Sequence, residues 1–299
     1  MIGPEHETAR VGAPGVAGFG DAVTFAFGDP ATGVYGSARL GLVPGEPVLA
    51  SGLGLLFRGG ELVVVDAVGG TALDAGDWAK VEAGDVRATV ERPLESWQVA
   101  YDGDEGGFEL RFEALSAPAE LGDGAVAASP AGLHGYEQLC RVTGTARCGG
   151  ERVAVDCLGQ RGHQWGAPDW DRISLARTVS AWFADDSGVA LASVRPERAA
   201  GHAEEAVTAC LLDPERVTPV DDPLLSTTLD GDGRQRRASL ELWVHHDERG
   251  ERARAHRAAG EAVCGTTLDL GRLRLDCAFF HWRMGGSEGV GRYDVLRRA

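Results

Sequence analysis

Apolar and polar residues alternate along much of the chain. Ala22-Val23-Thr24-Phe25-Ala26-Phe27 runs into Gly28-Asp29-Pro30, and Ser96-Trp97-Gln98-Val99-Ala100-Tyr101 runs into Asp102-Gly103. Glu61-Leu62-Val63-Val64-Val65 ends at an Asp and a Gly pair, and Phe108-Glu109-Leu110-Arg111-Phe112-Glu113 alternates strictly. Leu240-Glu241-Leu242-Trp243-Val244 and Leu273-Arg274-Leu275-Asp276-Cys277 do much the same. Short period-two runs between Gly, Asp and Pro turns predict strands with one buried face. Helical periodicity is scarce; His202–Leu212 suits a short helix or a strand equally. The expected fold is all-β and antiparallel, a barrel or sandwich of many short strands.

The organisation carries an internal echo. Val155-Asp156-Cys157 leads to His163-Gln164-Trp165-Gly166, and Leu275-Asp276-Cys277 leads to His281-Trp282 and then Gly285. A repeat of this kind predicts two similar β units meeting near residues 167–174, with domains at 1–170 and 171–299. Chance in a Gly- and Asp-rich chain is the competing explanation. Ser116–Gly132, with Ala117-Pro118, Gly122-Asp123-Gly124 and Ser129-Pro130, reads as a long loop between strands.

Composition narrows the function. The 299 residues hold 29 Lys plus Arg against 45 Asp plus Glu, a formal charge of −16. Phosphate contacts need basic surface, so a nucleic-acid partner is not expected. No uncharged apolar run reaches the roughly 18 residues of a spanning helix, so no integral membrane segment is expected. The start, Met1-Ile2-Gly3-Pro4-Glu5-His6-Glu7, shows no basic region and no apolar core of a signal peptide, and the expected location is cytoplasmic. Lys80 is the only lysine and sits among charged neighbours in a turn-like stretch, which argues against Schiff-base chemistry. None of Cys140, Cys148, Cys157, Cys210, Cys264 and Cys277 forms a Cys-x-x-Cys pair. They read as small buried hydrophobes rather than metal ligands or disulfides.

Candidate chemistry concentrates between Asp156 and Asp171. This stretch holds Arg161, His163, Trp165, Asp169, Trp170 and Asp171. His163 and Trp165 share a face of an extended segment. A histidine moves protons near neutral pH, a carboxylate orients it, and indole rings hold an apolar ligand or stabilise positive charge. The structural alternative is a Trp/His corner that closes a barrel end. Glu137, beside Tyr136, is a possible partner of Arg161 or else a surface charge. Trp182 is a further candidate for lining a pocket. His281 and Trp282 either line a cavity of the second unit or close its barrel. His245-His246 with Asp247 and His256 reads as a solvated hairpin, and no metal is expected. Gly285-Gly286-Ser287-Glu288-Gly289 has the Gly-x-Ser-x-Gly form, yet no histidine follows it, so a nucleophile elbow is not supported. There is no Walker loop and no dinucleotide fingerprint.

Gly159-Gln160-Arg161-Gly162-His163-Gln164-Trp165-Gly166 followed by Asp169-Trp170 resembles the signature of the lipocalin-like hydroxyneurosporene synthase and AttH-type superfamily. Gly289-Val290-Gly291-Arg292-Tyr293-Asp294-Val295 is similar to bacterial members of that group. Thr24-Phe25-Ala26-Phe27 with Asp29-Pro30 and Tyr35-Gly36 is a looser match. The resemblance implies two lipocalin-like antiparallel units in tandem. It also implies a cofactor-independent enzyme acting on an apolar terpenoid- or polyketide-like substrate by protonation-driven hydration, isomerisation or cyclisation, by analogy with carotenoid hydratases and decalin-forming cyclases. On that reading His163 handles a proton, and Asp169 orients it or is the acid. Arg161, Trp165, Trp170, Glu137, Trp182, His281 and Trp282 line the substrate. A Tyr-x-Asp element of the carotenoid hydratases has no counterpart: the corresponding region reads Val189-Ala190-Leu191-Ala192-Ser193-Val194. A carrier of hydrophobic ligands is the alternative. Neither substrate identity nor oligomeric state is encoded legibly.

Overall fold

The computed structural model describes residues 2–10, 18–73, 76–121, 132–199, 204–245 and 254–299. They form two compact units. The first runs to Glu120 and resumes from Gly132 to Pro168, and the second runs from Asp169 to Ala299. Most of the Ser116–Gly132 loop, His202 and the His246-Asp247 pair lie outside the described residues.

The first unit is one antiparallel sheet. Its strands are β1 Gly20–Asp29, β2 Val34–Val43, β3 Val48–Arg58, β4 Glu61–Leu73, β5 Lys80–Ala83, β6 Val86–Arg92, β7 Ser96–Asp102, β8 Gly106–Ala114, β9 Ala119–Glu120, β10 Leu133–Cys148 and β11 Glu151–Gly166. The order is β4-β3-β2-β1-β11-β10-β8-β7-β6-β5, with β9 on β10. A single-turn 3₁₀ helix, Pro4–Glu7, precedes it. The alternation read in the sequence decides which way each strand faces. Val23, Phe25 and Phe27 of β1 point inward with Trp97, Phe108 and Phe112. Phe25 meets Trp97 at 5.3 Å and Phe112 at 5.2 Å between ring centroids.

The sheet curls until β5 returns to β3 and β4, giving a nearly closed barrel. A glycine makes this seam possible. A Cβ on Gly52 would stand 2.2 Å from the carbonyl oxygen of Ala83, so only a residue without a side chain lets β3 and β5 approach. Gly59-Gly60 links β3 to β4, with φ of 59° and 90°. Two-residue hairpins require positive φ at both positions, which glycine accepts without steric cost.

The second unit has strands β12 Ile173–Phe183, β13 Gly188–Pro196, β14 Ala206–Leu212, β15 Val217–Pro219, β16 Asp222–Leu229, β17 Gln235–Val244, β18 Arg254–Asp269, β19 Leu273–Met284 and β20 Ser287–Arg298. Their order is β15-β14-β13-β12-β20-β19-β18-β17-β16. This sheet curls into a half-barrel in which β16 comes near β14. Val179, Phe183, Phe280, Trp282 and Tyr293 fill its interior. Arg177, almost fully buried, braces it: its Nε donates to Glu205 Oε1 at 2.7 Å and its Nη1 to Thr227 Oγ1 at 3.0 Å, joining β12 to β16. Ala206–Leu212 is a strand, which resolves the ambiguity left by periodicity. Gly285-Gly286 is a tight hairpin between β19 and β20, so Ser287 starts a strand rather than a nucleophile elbow.

In each unit the first strand pairs with the last, β1 with β11 and β12 with β20. Topology therefore makes β20 the counterpart of β11. The Asp-Cys…His…Trp echo instead joins β11 to β19, the penultimate strand, so the motif does not mark equivalent positions. The equivalent strands share a different feature: each carries one buried arginine, Arg161 on β11 and Arg292 on β20. No described helix is long and apolar enough to cross a membrane.

Candidate active site

The site lies inside the first unit, where β11 runs between β1 and β10. Opposed residues of an antiparallel pair share a face. Val23, His163 and Tyr136 form one inward row; Phe25, Arg161 and Gln138 form the next. Asp21, Trp165 and His134 form the row at the end of the strands. Asp21, Val23, Phe25 and Phe27 occupy successive inward positions of β1, so Asp21 is a carboxylate placed where the strand is otherwise apolar.

Two buried polar groups result. In the first, His163 Nε2 lies 2.6 Å from Asp21 Oδ1, and both side chains are 0% exposed. The other Asp21 oxygen accepts from Trp78 Nε1 at 2.8 Å and from the backbone N–H of Arg10 at 2.7 Å. An ionised carboxylate accepts only, so Nε2 carries the hydrogen of the shared bond. The second ring nitrogen, Nδ1, is buried and has no hydrogen-bond partner among the described residues. Three aromatic rings surround the imidazole: Trp165 at 5.2 Å, Tyr136 at 5.7 Å and Trp78 at 5.8 Å between centroids, all steeply inclined.

The second group is built on Glu7 of the 3₁₀ turn. Its Oε1 accepts from Arg161 Nη1 at 3.1 Å and from the Tyr136 hydroxyl, and its Oε2 accepts from Trp97 Nε1 at 2.7 Å. Arg161 Nη2 donates to Gln138 Oε1, whose amide nitrogen in turn donates to the carbonyls of Leu94 and Ser116. Burial works against the Glu7 carboxylate, but the charge of Arg161 and the bonds from Tyr136 and Arg161 outweigh it. The Glu7 pKa is held below the ordinary 4.5. Burial and the neighbouring Glu7 carboxylate push the Tyr136 phenol upward, so it stays protonated. Glu7 is thus a fixed counter-ion. The group with an open position for proton exchange is His163.

The residues singled out in the sequence separate as follows. His163, Trp165 and Arg161 are together in this unit. Arg161 pairs with Glu7 rather than with Glu137, because Glu137 faces Gly162 from the opposite side of β10. Asp169 and Trp170 belong to the turn that opens the second unit. Asp169 is exposed, and its Oδ1 accepts from the Asp171 N–H at 3.1 Å. The carboxylate that orients His163 is Asp21. Trp182 is buried on β12. Trp282 is wholly buried in the second core and stacks on Phe280 at 5.5 Å. His281, one residue earlier, faces outward, 3.8 Å from Glu288 Oε2, and helps line an open surface groove over β16–β19. Sequence reasoning missed Asp21, Glu7, Trp78 and Arg10. The one available signal was Asp21, a charge in phase with an apolar alternation. Among the described residues no three His, Cys, Asp or Glu side chains converge as metal ligands.

Residues 3–299 match a family described as a domain of unknown function (DUF7064). The chain belongs to that family. No curated protein matches it in sequence. Solved structures do resemble it. CghA, crystallised with Sch210972, has a TM-score of 0.67 at 11% identity, covering 99% of this chain and 95% of its own. An AttH-like protein of Nitrosomonas europaea has a TM-score of 0.64 at 14% identity, covering 94% and 92%. Kievitone hydratase of Nectria haematococca has 0.64 at 12% identity, covering 99% and 93%. This DUF7064 member therefore shares its fold with these three proteins.

Proposed function

We propose that this DUF7064 protein is an enzyme that moves a proton to or from an apolar, unsaturated substrate of terpenoid or polyketide type. The reaction is a hydration, isomerisation or cyclisation, and it needs no redox cofactor. The observation that carries this reading is the Asp21–His163 pair, with one imidazole nitrogen held by a buried carboxylate and the other left without a partner. Leaving a buried ring nitrogen unpaired costs about 1–3 kcal/mol, which a structural corner avoids and a substrate or water would relieve. Asp21 takes the hydrogen bond of Nε2 and so fixes the ring's orientation, which leaves Nδ1 as the atom that exchanges the proton.

The surroundings support the same chemistry. Protonating a carbon–carbon double bond places positive charge on the adjacent carbon. The faces of Trp165, Tyr136 and Trp78 are suited to such charge, and to the imidazolium itself. Water attack on that carbon, with the water's extra proton passing to Nδ1, gives a hydration. Attack by a second double bond forms a ring and moves the charge, and loss of a proton from the new cation to Nδ1 completes a cyclisation. Loss of a different proton from the first cation to Nδ1 gives an isomer. In each case His163 ends with the proton balance restored. The resemblance of His163-Gln164-Trp165 to the His-x-Trp pair of carotenoid hydratases supports the assignment, as does the likeness to a kievitone hydratase. Asp21 supplies the carboxylate that a Tyr-x-Asp element would otherwise bring.

The test is deuterium. Native protein purified from its host is stripped by organic extraction, and the extract is returned to wild type and to His163→Gln in D₂O. Deuterium fixed on a substrate carbon by wild type alone is the expected result. A ligand that both proteins bind and neither alters sinks the enzyme reading and leaves a carrier.

A further inference from the structure

The unpaired Nδ1 of His163 has company. Arg10 reaches over Trp165, with its guanidinium carbon 4.3 Å from the ring centroid. Its backbone N–H is pinned to Asp21. Two of its side-chain nitrogens, Nε and Nη2, are buried and have no hydrogen-bond partner among the described residues. These two form one edge of the guanidinium, with parallel N–H groups spaced to match two oxygens of a planar acid. An arginine that only covered a barrel end would turn this edge to water. Here the edge is held by ring stacking and withheld from solvent, beside a proton-exchanging histidine that rests on the same indole. Asp21 does not fill the edge, because its oxygens are taken by His163, Trp78 and the Arg10 backbone.

We infer that the substrate carries a carboxylate, which Arg10 grips through Nε and Nη2 while the apolar body lies against Trp165 and His163. This rests on the proton-transfer reading of the same site and narrows its substrate class from a hydrocarbon to an unsaturated acid. The sealed imidazole and the half-buried Arg10 and Trp165 support this order of groups, with the acid outermost and the reacting carbon inside. The fork supplies position as well as affinity. A carboxylate fixed at both oxygens leaves the chain one direction to run, which selects the double bond that meets Nδ1.

The test compares acids with their alcohols on the full chain near neutral pH. Sorbate against sorbyl alcohol and retinoate against retinol are titrated by tryptophan quenching. Wild type is expected to bind at least one acid about tenfold or more tighter than its alcohol, a difference of about 1.4 kcal/mol or more. Arg10→Met removes that preference, and Arg10→Lys, which keeps the charge but not the fork, restores only part of it. His163→Gln keeps it, so binding is read separately from proton transfer. Equal affinity for acid and alcohol, binding of neither pair, or a preference unchanged in a folded Arg10→Met overturns the inference. None of these outcomes touches the deuterium test of His163.

Discussion

Asp21 Oδ1 and His163 Nε2 stand 2.6 Å apart although 142 residues separate them in the chain. They meet because β1 and β11, far apart in sequence, are neighbours in one sheet. The pair is predicted to act as a unit. Asp21→Asn keeps the size of the side chain but no longer dictates which ring nitrogen is protonated. Initial rates on the substrate recovered from the host should fall by about 100- to 10,000-fold in Asp21→Asn and in His163→Gln. The double variant should be little worse than His163→Gln alone, since groups that act together lose their effect together. Losses that multiply would mean the two residues work independently.

Much of the fold was legible because one face of each strand is buried. The alternations at Ala22–Phe27, Ser96–Tyr101 and Phe108–Glu113 fall inside β1, β7 and β8. His163, Trp165 and Arg161 were legible because they share one strand and one face. Their partners were not. Neighbours along a strand separate by about 3.3 Å per residue, whereas the adjoining strand is about 4.8 Å away. The hydrogen-bond partner of His163 therefore comes from the adjoining strand β1, and Asp169, six positions along, drew attention only through sequence proximity. Glu7 and Arg10 come from a short segment before the first strand, where no periodicity announces a buried role. The internal echo misled for a related reason. It matched letters on β11 and β19, whereas the closure of each sheet makes β11 and β20 equivalent.

Glu7 should govern part of the acid stability. Its folded pKa lies below 4.5, so the unfolded chain binds more protons between the two values. The stabilisation is complete above about pH 4.5 and is lost as pH falls through the folded value. Glu7→Gln leaves Arg161 buried without its counter-ion, which should cost about 3–5 kcal/mol near neutral pH. Thermal melts from pH 3 to 8 check both points: the variant should start lower and decline less between pH 4.5 and 3. A variant whose loss of stability below pH 4.5 matches wild type would remove Glu7 from this role.

The cysteines should be chemically quiet in the folded protein. All six are free, and Cys140, Cys210, Cys264 and Cys277 are buried. Burial pushes the thiols of Cys140, Cys157 and Cys264 up to about 12. The thiolate is the reactive form, so a thiol reagent near neutral pH should label the buried Cys140 and Cys264 only as fast as the protein unfolds. Cys148, half-buried at a strand end, should react first. Mass mapping of labelled peptides against time checks the order. Early labelling of Cys140 would contradict the closed interior of the first unit.

The barrel seam gives the most direct test of the first unit, because it depends on one absent methyl group. A Cβ at Gly52 would lie 2.2 Å from the Ala83 carbonyl oxygen, and that oxygen belongs to backbone that cannot swing aside. Gly52→Ala must therefore push β3 and β5 apart. The expected loss is about 1–3 kcal/mol or more, since an added methyl in a packed contact forces backbone movement. Gly69→Ala is the control: it sits on β4, has no atom within 4 Å of an added Cβ, and does not need positive φ. By narrowing the unfolded chain it should be neutral or stabilise by up to about 1 kcal/mol. Urea melts of the two variants should thus move in opposite directions or differ by at least about 1 kcal/mol. The Asp21–His163 pair lies on β1 and β11, away from this seam in the strand order, so Gly52→Ala should lower the melting midpoint before it lowers the rate. Equal melts for both alanines would mean that β3 and β5 do not close on each other at Gly52.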